Sequence, residues 1–210
     1  MIIYMDGGSQ KNPHVASRFV LSWGIVAHYN DETFERFGCF ADCHPFLQGS
    51  HEKLAFVEAV RLALELGVSP GEITFITDDG SVCDANRMFH KFGNLVRSEA
   101  TVQKITEICN AYFNRDLKEH CCRFLRLARF IKVKGHSRTV YNLRCDHLAR
   151  HARNWEYGDL SPLLSFEEWL HDGFLHHDKK TMKKTWYVPF SEMDFISKHS
   201  INDLEMFLEA

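Results

Sequence analysis

Asp6 follows an apolar and aromatic lead, "IIYM", and two glycines come directly after it. A carboxylate there is costly to bury unless it meets a partner, and glycines offer it no shield. Three further acids stand in comparable places. Asp78 ends the short apolar run "ITFIT", Glu52 lies in the first turn of a stretch with helical spacing, and Asp146 lies in "NLRCDHLARHA". If the runs before Asp6 and Asp78 are neighbouring strands, both carboxylates leave the sheet at one end. A helix crossing that sheet brings Glu52 to the same place. Unpaired, such acids repel and raise one another's pKa. Divalent cations resolve the conflict, and Mg²⁺ prefers carboxylate and water oxygens. The pattern predicts that Asp6 is a metal ligand, with Gly7 and Gly8 leaving room for metal and substrate. Asp79 reads as a turn or cap residue. Glu58 competes with Glu52 but lies further from the helix start.

The elements that must position these groups follow from periodicity. Ile2 to Met5, Phe19 to Tyr29 and Thr33 to Ala41 read as strands, the last two joined by the turn "YNDE" as an antiparallel hairpin. Leu54, Val57, Val60 and Leu64 recur at helical spacing between a capping Ser50 and a terminating Gly67. "ITFIT" is a buried strand, and a helix capped by Asp79 or Ser81 runs to about Phe92. A further helix fits Thr101 to Leu117, "RFLRLARFIKVKG" reads as a strand with interleaved arginines, and Thr139 to Arg153 is helical. Strands followed by alternation predict an α/β fold, a mixed sheet with helices on both faces. From Asn154 onward the chain changes character. A short helix in "LSPLLSFEEWLHDGF", a strand in "KKTWYVPF" and a helix in "SINDLEMFLEA" make a C-terminal extension, 154–210, on a catalytic domain spanning 1–153.

The whole chain sets bounds. Its 210 residues suit one domain with an appendage. No run approaches the roughly 20 apolar residues of a membrane span, and the N-terminus shows no signal-peptide pattern. Seven cysteines without metal spacing read as reduced thiols, which places the protein in the cytoplasm. The net charge of −3 hides a basic middle, where Lys and Arg outnumber acids from Asn86 to Arg138, and an acidic tail.

In order along the chain, these motifs resemble ribonuclease H of the bacterial type 1 branch. "YMDGGSQKNP" is similar to the family's "TDGSxxGNP", with Asn12 and Pro13 in register. "HEKLAFVEAV" is similar to "MELMAAIxAL", with Glu52 on the family's glutamate, and "ITDDGSV" to "STDSxYV". "VKGHSRTVYNLRCDHLAR" is similar to "VKGHxGxxxNExCDxLAR", which aligns His136, Asn142 and Asp146. The resemblance covers residues 1 to 153. It implies the ribonuclease H-like fold, with three antiparallel strands followed by two parallel ones. It also implies hydrolysis of the RNA strand of an RNA–DNA hybrid, leaving 5′-phosphate and 3′-hydroxyl ends by two-metal catalysis. Two Mg²⁺ ions, replaceable by Mn²⁺, are implied: one on Asp6 and Asp146, the other on Asp6, Glu52 and Asp78. His136 is implied to move a proton or release product.

Hybrid recognition rests on the 2′-hydroxyl. Gly7, Gly8, Ser9 and Asn12 are expected to touch it, and Asn142 to hold the RNA strand or the histidine loop. Lys91 to Arg97 is expected at DNA phosphates, with Lys134 and Arg138 nearer the acids. Two departures stand out. Gln48, Gly49, Ser50 and His51 occupy the place of the family's paired asparagines, which leaves Gln48 as the substrate contact there. The basic segment carries Phe89 and Phe92 in place of tryptophans. Action on structured DNA or RNA duplex, or a silent nucleic-acid-binding module, are the alternatives. A monomer is expected, with the helix after Ser200 as a surface for a second copy.

Overall fold

The computed structural model describes residues 1–12, 18–43, 45–90, 95–133, 139–159, 161–171, 174–177 and 184–187. The chain divides into two compact units, Met1–Leu160 and Ser161–Ala210. In the first, strands β1 (Ile2–Lys11), β2 (Phe19–Tyr29) and β3 (Glu32–Cys43) are followed by helix α1 (His51–Glu65) and strand β4 (Thr74–Thr77). Helices α2 (Gly80–Phe89), α3 (Leu95–Tyr112) and α4 (Arg115–Leu127), strand β5 (Arg129–Lys132) and helix α5 (Val140–Glu156) complete it. The sheet order is β3-β2-β1-β4-β5. β1, β2 and β3 pair antiparallel, and β4 and β5 join parallel, as the resemblance implies. Asn30 and Asp31 both take positive φ, 51° and 63°, the two-residue turn whose twist suits a hairpin.

Side-chain alternation along β1 places the helices. Gly7 lies against the first turn of α1 and Gly8 against α5, so the two helices cover opposite faces. On the α1 face, Ile3, Met5, Ile25, Leu54, Val57, Phe75 and Phe124 belong to one buried core. On the α5 face Tyr4, His28 and Tyr141 stack, with His28 and Tyr141 centroids 4.4 Å apart. There too Arg144, fully buried, grips both oxygens of Glu35 at 2.7 and 2.8 Å. This bidentate pair ties α5 to β3. α1 ends where expected: Gly67 takes φ +68°, and the Val68 amide returns to the Ala63 carbonyl.

Four readings need correction. Asp6 does not close a strand, because β1 runs on to Lys11. The helix expected over Thr101–Leu117 is two helices, broken at Phe113 and Asn114, where Asn114 caps α4 through the Leu117 amide at 2.9 Å. The run "RFLRL" is the end of that helix rather than strand. Leu117, Cys121, Phe124 and Leu125 are its buried face, and the arginines recur three apart, not two; only Arg129–Lys132 is extended. Ser50 stands at the N-cap position of α1, yet its buried hydroxyl makes no cap bond.

The second unit holds helix α6 (Phe166–His171) and the antiparallel strands β6 (Phe174–His177) and β7 (Lys184–Tyr187). Ser165 and Glu168 form a reciprocal capping box at the start of α6. The helix expected after Ser200 lies outside the described residues. No described helix is long and apolar enough to cross a membrane. All seven cysteines are free thiols.

Candidate active site

β4 pairs with β1 only from Ile2 to Tyr4. Beyond Tyr4, β1 keeps β2 as its neighbour, with Asp6 opposite Gly24. The side of β1 that β4 leaves open is where Asp78 emerges, just past the end of β4. Crevices beyond the carboxyl ends of parallel strands are where open α/β sheets take ligands. Glu52, in the first turn of α1, completes the group. Carboxylate oxygens of Asp6, Glu52 and Asp78 all lie within 4.8 Å of one another. The Gly7 amide donates to Asp6 Oδ1 at 2.8 Å and to Glu52 Oε2 at 3.1 Å, so one backbone group fastens two acids.

The electrostatics follow from that crowding. Burial, then the charges of Glu52, Asp78 and Asp146, raise Asp6 well above the usual carboxylate range, against the Gly7 hydrogen bond. Burial and the neighbouring Asp78 and Asp79 push Glu52 up to about 8. Three all-oxygen donors, disfavoured as free anions by burial and by one another's charge, fit a hard divalent cation, which would relieve both.

The neighbouring acids have other partners. Burial raises Asp79, but Lys53 at 2.8 Å and the Ser81 amide outweigh it, and its pKa falls below the ordinary value. It caps α2, as expected. Glu58 is buried against Arg61 at 2.9 Å, away from the triad. Asp146 stands outside the triad, with its Oδ2 held by Arg150 at 2.6 Å, yet its charge reaches Asp6.

The glycines have a different purpose from the one read in the sequence. A Cβ at Gly7 would lie 2.5 Å from the His51 carbonyl oxygen and 2.7 Å from the Glu52 amide nitrogen. Gly7 is therefore what lets α1 bring Glu52 to Asp6. Its amide serves the two acids. Gly8 lies under Arg153, and its carbonyl accepts from Ser22 Oγ at 3.3 Å. Gly24, which sequence reading passed over, does for α5 what Gly7 does for α1. A Cβ there would collide with the Cys145 carbonyl and come to 2.8 Å from Leu148 Cβ. Gly24→Ala is expected to destabilise the chain by about 2–3 kcal/mol, because α5 must retreat from β2. A urea denaturation curve measures this, and the retreat carries Asp146 away from Asp6.

Of the expected substrate contacts, Ser9 and Gln48 are exposed and Asn12 half-buried. Asn142 is buried, and its Oδ1 has no hydrogen-bond partner among the described residues. That placement suits a contact within the protein rather than with a strand outside it. Arg97 lies on α3; its side chain, with Lys91, Lys134, His136 and Arg138, lies outside the described residues. His51 was not singled out in the sequence, yet its Nε2 lies 3.7 Å from Glu52 Oε1.

Fold and donor set together define an α/β protein with an all-oxygen carboxylate site suited to a hard divalent cation. The RNase H family profile matches residues 1–154, and the chain belongs to that family. With the family it is an endoribonuclease. Ribonuclease H proteins from two strains of Clostridium botulinum are 29% identical over 163 residues, 72% of this chain and 94% of theirs. Among solved structures, the chain is similar to the RNase H domain of PFV (20% identity, 73% of this chain and 94% of that one, TM-score 0.48). It is also similar to RNase H1 of Halobacterium salinarum NRC-1 (16% identity, 73% and 96%, TM-score 0.46).

Proposed function

We propose that the chain hydrolyses the RNA strand of RNA–DNA hybrids with Mg²⁺, or Mn²⁺ in its place, leaving 5′-phosphate and 3′-hydroxyl ends. The observation that carries this reading is the meeting of Asp6, Glu52 and Asp78 within 4.8 Å, at the open side of β1, in a chain of the RNase H family. When bound, divalent cations polarise a phosphate and supply hydroxide from water near neutral pH. The chain's own residues orient the donors. Asp6, Glu52 and Asp78 would hold one ion, and Asp6 with Asp146 the other. The Gly7 amide keeps the Asp6 and Glu52 carboxylates facing each other. Lys53 keeps Asp79 out of the ligand set. His136 is the group we assign to proton movement or product release. Asn142 is assigned to holding the RNA strand or the segment that carries His136, and Ser9, Asn12 and Gln48 to the sugar edge of the hybrid.

A panel of end-labelled RNA–DNA hybrid, RNA duplex and DNA duplex, each with Mg²⁺ or with EDTA, tests the reading. Cutting of the hybrid's RNA strand only, and only with the cation, is the expected result. Equal cutting of DNA, or cutting that survives EDTA, overturns it.

A further inference from the structure

Helix α5 carries two arginines beyond Asp146 that the reading above leaves without a task. Arg150 lies one turn past Asp146 and pairs with it. Arg153 lies about one further turn along, and its guanidinium rests on β1. A Cβ at Gly8 would come to 2.5 Å from Arg153 Nη1 and 2.8 Å from Ser22 Oγ. Arg153 Nε is buried and has no hydrogen-bond partner among the described residues. Arg153 is thus pressed against the backbone two residues from Asp6, with a donor unsatisfied.

The position is unfavourable for a cation by itself. Burial lowers its pKa and the Arg150 charge adds to this, with Asp146 and Tyr157 offsetting in part. Its charge also reaches His51, beside Glu52. A half-buried guanidinium next to a second one suits an anion that accepts several hydrogen bonds, and a phosphate diester is such an anion. Gly8 is two residues beyond Asp6 on the same face of β1, about 7 Å along the strand. That is the distance from one backbone phosphate to a near neighbour, not to the phosphate that the carboxylates face.

We propose that Arg153, with Arg150 beside it, forms a phosphate subsite that holds the substrate strand next to the bond that is cut. This rests on the reading of the chain as a nuclease. Arg153 is a positioning residue: it fixes the register of the strand on the acids and takes no part in the bond change.

The test uses the full chain and an RNA–DNA hybrid. Binding is measured in EDTA from 50 to 200 mM salt for the wild type, Arg153→Gln, Arg153→Lys and, as an exposed comparator on β3, Arg36→Gln. Arg153→Gln is expected to bind about tenfold more weakly, with a log–log salt slope shallower by about one. Arg153→Lys keeps the slope, and Arg36→Gln matches the wild type. In cleavage with Mg²⁺, Arg153→Gln raises KM about tenfold and leaves kcat within about twofold. Uncharged methylphosphonates are then placed singly at the phosphates flanking the cut. One of them weakens the wild type about tenfold and adds nothing to Arg153→Gln. A slope unchanged in Arg153→Gln, or a methylphosphonate penalty equal in both proteins, overturns the subsite. If Arg153→Gln does not fold, a wild type indifferent to every flanking methylphosphonate overturns it. A wild type that cuts the hybrid while failing these tests ends this inference alone; one that neither binds nor cuts the hybrid ends the nuclease reading as well.

Discussion

Asp6→Asn is expected to reduce hybrid cleavage by about 10³-fold or more, the scale of losing one preorganised electrostatic group in an active site. It is also expected to make the folded chain more stable. Asp6 is the carboxylate that feels all three of the others, and burial and their charges together raise its pKa. It is 8% exposed, so water does little to relieve the repulsion. Asparagine keeps the shape and can still accept from the Gly7 amide, but it carries no charge. Removing that repulsion stabilises the cation-free chain by on the order of 1–2 kcal/mol at pH 7.5. Hybrid binding in EDTA should hold or improve, since a negative charge facing phosphates is gone. Activity, thermal unfolding and binding on one preparation check all three. A variant that loses activity and stability together would show Asp6 to be a structural residue.

The second large effect is a dependence of stability on pH that a divalent cation reverses. Glu52 has an ordinary value of 4.5 and is held at about 8 in the fold, and Asp6 moves the same way. Between those values the native chain keeps protons that the unfolded chain has released. Stability contributed by this cluster is therefore fully present below about pH 4.5 and is lost as pH rises through 8. His28, His51 and His147 act in the opposite sense. Burial lowers each of them below 6.5, His147 to about 4, so they weaken the fold as pH falls below 6.5. The interval from about pH 6.5 to 8 isolates the carboxylates. One proton retained across it amounts to about 2 kcal/mol, or roughly 4–8 °C in Tm for a chain of this size. With EDTA, Tm should fall by that amount between pH 6.5 and 8. With Mg²⁺ the fall should vanish, because the cation displaces the protons and binds more tightly as pH rises. A Tm that is flat over the interval in EDTA would remove the protonated cluster from the account.

Sequence by itself determined most features whose cause lies within a few neighbouring residues, the Asn114 cap of α4 being one it missed. The β2–β3 hairpin follows from alternation and the Asn30–Asp31 turn. The end of α1 follows from Gly67, the cap of α2 from the Asp79–Ser81 stretch, and the start of α5 from its own periodicity, though the helix runs on to Glu156, past Arg153. The acids were legible from their places after apolar runs or in helices together with the family resemblance, although β1 runs on past Asp6. The choice of Glu52 over Glu58 rested on the position of the first helical turn together with the register of the family resemblance. Sequence reading also went astray at "RFLRLARFIK", whose apolar content suits a strand: its arginines recur three apart, and Phe124 and Leu125 lie on the buried face of α4.

Tertiary structure decided what those elements do to one another. The adjoining of Gly7 and Glu52 spans 45 positions, and α5 settles on Gly24 from more than a hundred residues away. Gly7 reads in the sequence as room for a ligand and Gly24 as an ordinary strand residue, and both are the clearance that two helices need to reach the sheet. Arg153 looked like one more charge at the end of a helix, until packing laid it on Gly8 with a buried donor. The physical reason is the same throughout. Conformational preference is set by a residue and its near neighbours, whereas desolvation, repulsion and close approach are set by whatever the fold brings alongside.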